Sequence, residues 1–537
     1  MNLLDKKNTI ANPQFNRWLV PPAALCIHLC IGMAYGFSVF WLPLTKAIGI
    51  SQALPFPAEI TFFEKLFTTQ YDWDKPLLGW MYTLFFVFLG CSAAIFGRWL
   101  EEAGPRKAGF VSTLCWCGGL MISSLGVYTH QLWLLWLGAG VIGGIGLGLG
   151  YISPVSTLIK WFPDKRGMAT GMAIMGFGGG AMIGSPLADM LMKYFATPTS
   201  VGVWETFLSL ALLYFIFMTI GTFAYRVPPE NWKPLHWKPP EIKNSMITQN
   251  HMQVDDAWKT PQFWLLWLML CLNVSAGIGI IGMSSPMLQE IFAGRLIGID
   301  VEFGQLNQDQ LGKIAAIAAG FTGLLSLFNI GGRFFWASLS DLLGRKTTYY
   351  LFFILGFTFY ALVPLAGKTG NILLFSSLFC FILTMYGGCF ATIPAYLADM
   401  FGTKMVGAIH GRLLTAWSVA GILGPVLVNY INAAQIHSGI PKNQAYNSTM
   451  FILAILLLGG LICNFLLKPI DPKHFVKGNH SKQNSTGEPT TLELTSADYL
   501  KPKVTSWVLL ISFWLLVGIP IMWGTWKTVL QSFALFN

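Results

Sequence analysis

The sequence predicts an all-α membrane protein with two six-helix halves and a thirteenth helix near the C-terminus. Three observations predict this fold class: a composition poor in charge, a series of long apolar segments, and an internal repeat. Of the 537 residues, 54% are hydrophobic and 11% are charged, whereas a typical soluble domain is about 25% charged. The net charge of +10 is spread over short polar connectors, so it does not indicate a nucleic-acid partner.

Apolar segments long enough to cross a bilayer, which takes about 20 residues, follow one another along the chain. The thirteen candidate spans cover residues 19–44, 77–97, 108–127, 132–159, 169–195, 204–225, 262–288, 314–338, 347–366, 372–396, 409–433, 450–467 and 505–526. The predicted organisation is an N-terminal half over 1–225, a proline-containing linker over 226–261, a C-terminal half over 262–467, a flexible linker over 468–504 and an accessory helix over 505–526.

The two predicted halves repeat one another. Three pairs of matching positions share an offset of 239 or 240 residues: Gly104 with Gly344, Pro154 with Pro394, and Pro186 with Pro425. Two homologous halves of this kind place a ligand site near the bilayer midplane, and access to that site alternates as the halves rock against each other.

The distribution of basic residues predicts the orientation. With the N-terminus in the cytoplasm, 24 of the 34 Lys and Arg residues fall on the cytoplasmic side and 9 fall outside, in agreement with the positive-inside rule. The first apolar segment is of full length and has no small-residue cleavage site, so no signal peptide is expected. We therefore expect a multi-pass protein of the cell (inner) membrane with a cytoplasmic N-terminus.

Arg333 is the residue that most constrains the function. It is the only charged residue in the segment 314–338, and a permanent cation inside a membrane helix costs roughly 2.5–3.5 kcal/mol on the insertion scale. Its planar fork matches a carboxylate with two parallel hydrogen bonds. The sequence therefore predicts that Arg333 binds a small anion. The alternative is that its side chain reaches the membrane surface or pairs with Asp341, two turns further on.

Two acidic connectors predict a conformational latch. The first contains Glu101, Arg106 and Lys107, and the second contains Asp341, Arg345 and Lys346. A carboxylate beside a tight glycine turn can pair with a cation at the end of a neighbouring helix and hold one conformational state. A generic basic loop is the alternative, but the second copy at the matching position argues against it.

Several motifs resemble those of the major facilitator superfamily and, within it, the oxalate–formate antiporter family. They lie at Gly32–Phe40, Gly146–Ser156, Lys160–Gly167, Asn329–Arg333 and Gly411–Trp417. The resemblance covers roughly residues 15–467. It implies a transporter rather than an enzyme, with no cofactor and no metal, that acts as a monomer in the lipid bilayer on a small organic anion.

The resemblance also implies roles for individual residues. The position of Arg333 corresponds to an arginine that contacts the carboxylate, and Tyr35, Tyr386 and Phe390 correspond to pocket-lining residues. Tyr151 and His28 are further candidates for the substrate site. Where the oxalate carrier has a second cation, this chain has Trp417. A dicarboxylate carries two negative charges, so the single arginine favours a monocarboxylate such as formate, lactate or pyruvate over oxalate.

Two further features leave alternatives open. His28 lies within the first span, where it is either a proton site, since histidine titrates near neutrality, or a packing residue. The last span is similar to single-span polypeptides that accompany some carriers of this family, and it is expected to pack against the carrier or to regulate it.

We therefore expect a secondary transporter of small carboxylates that works by antiport or with a co-transported proton. The alternative is a membrane sensor that binds the same anions without transporting them. Against the sensor, the polar segments 227–259 and 468–504 are too short to form an output domain.

Overall fold

Thirteen helices in the described part of the chain are long and apolar enough to cross a membrane, which confirms the predicted fold class. The computed structural model describes residues 3–12, 14–50, 54–57, 59–229, 232–234, 237, 246–248, 250–475 and 506–533. Most of the predicted linker 468–504, and residue 505 of the accessory helix, lie outside these ranges.

The N-terminal half contains α1 (Arg17–Phe40), α2 (Lys75–Ala103), α3 (Pro105–Tyr128), α4 (Leu132–Trp161), α5 (Arg166–Phe195) and α6 (Val203–Ala224). The C-terminal half contains α7 (Pro261–Phe292), α8 (Gln308–Leu343), α9 (Arg345–Thr369), α10 (Ile372–Phe401), α11 (Val406–His437) and α12 (Asn447–Leu466). The last helix is α13 (Ser506–Ser532).

Several helices are longer than the predicted spans because their polar ends continue the helix. The clearest example is α8, which begins six residues before the predicted span 314–338. Asn307 caps it by accepting a hydrogen bond from the backbone N–H of Gln310 at 2.9 Å, and the Gln310 side chain accepts from the N–H of Asn307 in return. Such a capping box starts a helix outside the apolar stretch that hydropathy detects.

The two connectors of the repeat make the same turn. Gly104 between α2 and α3 has a φ of 90°, and Gly344 between α8 and α9 has a φ of 83°. Backbone with positive φ favours glycine, and in both places the next helix starts at the following residue. We call the membrane face that carries Gly104 and Gly344 the connector face.

The halves meet along α5 with α8 and along α2 with α11, where small residues allow close approach. A Cβ atom at Gly171 of α5 would lie 2.9 Å from the carbonyl oxygen of Arg333 on α8. On the other seam, the Ser418 hydroxyl of α11 donates to the carbonyl oxygen of Phe86 on α2 at 2.8 Å. Small residues at helix interfaces are typical of membrane proteins, in which close packing stabilises helix association.

The thirteenth helix packs against both halves. Val517 is buried together with Leu25 and Cys26 of α1. Further along, Gly524 lies against Ile183 of α5, and Thr528 lies against Gly323 of α8. α13 therefore crosses the seam between α5 and α8.

Candidate functional site

Arg333 lies at the centre of the molecule, on α8, and is fully buried. Its Nε donates to the side-chain oxygen of Asn329 at 3.0 Å, and its Nη1 donates to the carbonyl oxygen of Ile174 on α5 at 3.1 Å. Glycines make room for the side chain, since a Cβ atom at Gly178 would lie 3.1 Å from Arg333 Nε and one at Gly387 would lie 3.0 Å from Arg333 Cγ. The guanidinium is thus held between the two halves.

No carboxylate in the described residues forms an ion pair with Arg333. Its Nη2 is buried and has no hydrogen-bond partner among those residues. Asp341 instead contacts Arg345 and the start of α5. The alternative in which Arg333 reaches the surface or Asp341 therefore does not describe this structure, and the cation keeps one donor group free for a bound acceptor.

Aromatic rings surround the guanidinium. Its Cζ lies 5.9 Å from the ring centre of Tyr35, 5.8 Å from that of Phe177 and 5.9 Å from that of Phe390. A cation within about 6 Å of an aromatic ring centre is attracted by the ring, by about 2 kcal/mol where water is excluded. These rings stabilise the charge of Arg333 without neutralising it.

The predicted aromatic residues lie together at this site. The Trp417 ring centre lies 4.4 Å from that of Phe390 and 5.5 Å from that of Tyr151. The hydroxyls of Tyr35 and Tyr386 share a hydrogen bond of 3.3 Å, with either as the donor. We call Tyr35, Tyr151, Phe177, Tyr386, Phe390 and Trp417 the aromatic cage.

Backbone irregularities position two members of the cage. The second half of α1, Gly32–Phe40, is a 3₁₀-helix that carries Tyr35, and a Cβ atom at Gly32 would lie 2.2 Å from the carbonyl oxygen of Phe177. α11 is interrupted at Leu414, just before Trp417. A mid-helix stretch of 3₁₀-helix often marks a functional hinge or strain, and discontinuous helices often form the binding sites of transporters.

His28 lies behind the cage rather than in it. Its Nδ1 is 2.5 Å from the carbonyl oxygen of Ala173 and its Nε2 is 3.2 Å from the carbonyl oxygen of Tyr151, while its ring stacks on the Tyr151 ring at 5.4 Å. The residue thus connects α1, α4 and α5. This placement favours the packing role over the role of a proton site.

Sequence reasoning missed two residues around Tyr151. Phe177 directly precedes Gly178, Gly179 and Gly180 on α5, and no charge or spacing marks it as a cage member. His410 on α11 is buried, lies 5.8 Å from the Tyr151 ring, and has no hydrogen-bond partner on either ring nitrogen within the described part of the chain. No helical spacing marks it, because the interruption at Leu414 separates His410 from the helical segment that carries Trp417.

At the connector face, each acidic residue of the repeat caps a helix of the other half. Asp341 at the end of α8 accepts from the N–H groups of Gly167 and Met168 at the start of α5, at 2.8 and 2.9 Å. Glu101 at the end of α2 accepts from the N–H of Gly407 at the start of α11, at 3.0 Å. The first N–H groups of a helix lack intrahelical partners and attract negative charge. These contacts therefore join the two halves at the connector face, one on each seam.

Ion pairs reinforce the two junctions unequally, and only the Asp341 junction has an ion pair between the halves among the described residues. Arg345 contacts Asp341 at 2.6 Å and Asp399 at 3.0 Å, and Arg166 of the other half contacts Asp399 at 2.7 Å. Glu101 pairs with Lys160, within its own half. Arg166 and Asp399 were absent from the predicted latch because they lie outside the repeated connectors.

The remaining predicted latch residues do not bridge the halves in this structure. Arg106 donates to the carbonyl oxygens of Leu3, Phe223 and Tyr225, and Lys346 donates to the carbonyl oxygen of Leu467 at 2.7 Å. Lys107 forms no ion pair with any described residue. Carbonyl groups at helix ends attract cations, so Arg106 and Lys346 anchor chain ends within their own halves.

Comparisons with known proteins identify the family. The Major Facilitator Superfamily profile matches residues 24–425 and, in an overlapping second match, residues 303–536. The chain belongs to the major facilitator superfamily. It is accordingly a multi-pass membrane transporter and not an enzyme.

Relatives and solved structures agree with this assignment. The chain is 25% identical over 446 residues to the oxalate:formate antiporter of Oxalobacter formigenes. This match covers 82% of this chain and 88% of that protein. It is 26% identical over 367 residues to apicoplast pyruvate carrier 1 of Toxoplasma gondii, and this match covers 59% of this chain and 63% of that protein. The fold is similar to the superfamily transporter FucP in its outward conformation, with a TM-score of 0.55 at 13% identity, covering 84% of this chain and 100% of that one.

Proposed function

We propose that this protein is a secondary transporter of small carboxylates and that Arg333 binds the carboxylate. The observation that carries the proposal is the fully buried guanidinium with one unpaired nitrogen and no acidic partner in the described residues. A charge held in this way is costly unless an anion relieves it. The names of the antiporter and the pyruvate carrier among its relatives support a carboxylate as that anion.

Alternating access would proceed by opening the connector face. The capping carboxylates Asp341 and Glu101 would release the starts of α5 and α11, and the substrate would pass between the halves. The basic residues of the connectors support a cytoplasmic connector face, and hence a cytoplasmic N-terminus, in a cell membrane. The transporter would exchange one carboxylate for another or carry a proton with its substrate.

The test is exchange by the purified full-length protein in liposomes. Vesicles are loaded with unlabelled formate, oxalate, lactate or pyruvate, and uptake of each labelled acid is measured at a clamped pH on both sides. A pH gradient imposed in a second series separates exchange from proton-linked uptake, since only the latter is driven by the gradient.

The decisive variant is Arg333→Gln. Truncating one partner of a buried charge pair costs about 2–5 kcal/mol, so exchange affinity should fall by roughly 30- to 5,000-fold. The matched control is Arg295→Gln, which removes an arginine that is 56% exposed and pairs with Asp300 at 3.3 Å. The control should exchange normally. Normal exchange by Arg333→Gln, or exchange of none of the four acids by the unchanged protein, would contradict the proposal.

A further inference from the structure

Two members of the aromatic cage carry buried hydrogen-bond donors that have no acceptor among the described residues. Neither the indole Nε1 of Trp417 nor the hydroxyl of Tyr151 has a hydrogen-bond partner within the described ranges, and both side chains are fully buried. The hydroxyls of Tyr35 and Tyr386, by contrast, bond to each other. Buried donors are usually paired in folded proteins, and here two unpaired donors share one cage with a cation that also has an unpaired nitrogen. This combination points to an acceptor that binds at the cage.

These donors lie close to the cation. The ring centres of Tyr151 and Trp417 each lie 5.5 Å from that of Phe177, and the Arg333 Cζ lies 5.8 Å from the same ring centre. Trp417 and Arg333 also share Phe390, whose ring centre lies 4.4 Å from that of Trp417 and 5.9 Å from the Arg333 Cζ. The guanidinium of Arg333 and the two rings with unpaired donors therefore line the same aromatic cage. A ligand that satisfies all three needs an anionic group with a further acceptor close beside it.

The chemistry of the two donors restricts which acceptor group of a ligand can bind to them. Both are neutral, since an indole N–H only donates and a tyrosine hydroxyl is uncharged near neutral pH. A second carboxylate would be buried without a cation, which is unfavourable. A simple alkyl carboxylate would leave both donors unsatisfied, which is also unfavourable. One negative charge with a neutral oxygen on the adjacent carbon meets both conditions.

We propose that the site selects 2-oxo and 2-hydroxy monocarboxylates, with the carboxylate on Arg333 and the 2-oxygen accepting from Trp417 Nε1 and Tyr151 Oη. This inference rests on the proposed function and narrows it. Trp417 and Tyr151 are then specificity-determining residues, and formate, acetate and propionate are poor substrates because they lack the second oxygen.

The experiment compares acids that differ only at the second carbon. Inhibition of labelled pyruvate exchange by unlabelled pyruvate, lactate and propionate is measured for the full-length protein in liposomes. Propionate should bind at least about tenfold more weakly than pyruvate, which is the factor expected for one lost hydrogen bond in a buried site. Trp417→Phe and Tyr151→Phe should each lower the preference for pyruvate and lactate over propionate by about tenfold, because the lost donor affects only acids with a 2-oxygen.

Phe390→Leu serves as the packing control. It alters a ring 4.4 Å from Trp417 without removing a donor, so it should weaken pyruvate and propionate equally. If the unchanged protein does not distinguish pyruvate from propionate, or if both Phe variants keep the full preference, the inference is wrong. If Arg333→Gln exchanges all three acids normally, the proposed function itself fails, and this outcome is distinct from a loss of preference alone.

Discussion

Replacing Trp417 by lysine should move the preference of the site from monocarboxylates toward dicarboxylates. The residue is fully buried in the aromatic cage, on the broken helix α11 and next to the rings that surround Arg333. A lysine here would supply a second cation in a place from which water is excluded. A substrate with two carboxylates could then neutralise both cations, whereas a monocarboxylate would leave one of them unpaired.

The expected size of the effect follows from the distances at the cage. The Cζ of Arg333 lies 5.9 Å from the Phe390 ring centre, and the Trp417 ring centre lies 4.4 Å from the same point. A cation at position 417 would therefore lie within about 10 Å of Arg333, where two unit charges repel by roughly 1.7 kcal/mol at an effective dielectric constant of about 20. A second carboxylate would relieve this repulsion and add a charge-assisted hydrogen bond of about 1.5–3 kcal/mol. After the cost of desolvating that carboxylate, we expect the ratio of oxalate to pyruvate affinity to rise roughly 10- to 100-fold.

The assay is inhibition of labelled pyruvate exchange by unlabelled oxalate and pyruvate in liposomes. Trp417→Met is the matched control, because it also removes the indole ring and its N–H but adds no charge. The difference between the two variants therefore isolates the added cation. Equal oxalate-to-pyruvate ratios in Trp417→Lys and Trp417→Met would refute the two-cation reasoning.

Three further predictions concern the connector face and the last helix. Asp341→Ala should increase hydrogen exchange at the amides of residues 167–170 by about five- to tenfold, since losing a helix cap costs about 1 kcal/mol or more; unchanged protection would show that Asp341 does not hold the start of α5. Partial burial, together with Lys404 and Arg166, lowers the pKa of His251 below 6.5 in the folded protein. The unfolded chain then binds the proton more readily, so the folded state loses stability as the pH falls below about 6.5. The unfolding temperature should therefore fall less between pH 7.5 and 5 in His251→Gln than in the unchanged protein. Identical pH profiles of the two proteins would contradict this prediction. Deleting residues 498–537 should lower thermal stability and leave the order of substrate preference unchanged, so an altered order would rule out a purely accessory helix.

Sequence patterns were sufficient for the fold class, and they drew attention to the buried cation around which the candidate site is described. A helix that crosses lipid must satisfy its backbone internally and present about 20 apolar residues, so each span is visible as a local run of sequence. The repeat is visible for the same reason, because offsets between matching glycines and prolines are properties of the chain order alone. Arg333 stands out because a lone charge in such a run is costly wherever the helix lies.

The tertiary structure alone decided which atoms meet. The partners of Asp341 are backbone N–H groups 173 and 174 positions away, and no side-chain pattern records the free amides at the start of a helix. Phe177 belongs to the cage, and His410 and His28 pack against its member Tyr151, because packing brings together residues of α1, α4, α5 and α11. The position of α13 across the seam of the halves was decided in the same way. Hydrophobic length determines that a helix spans the membrane, but the contacts of its faces depend on how the helices pack, which periodicity does not encode.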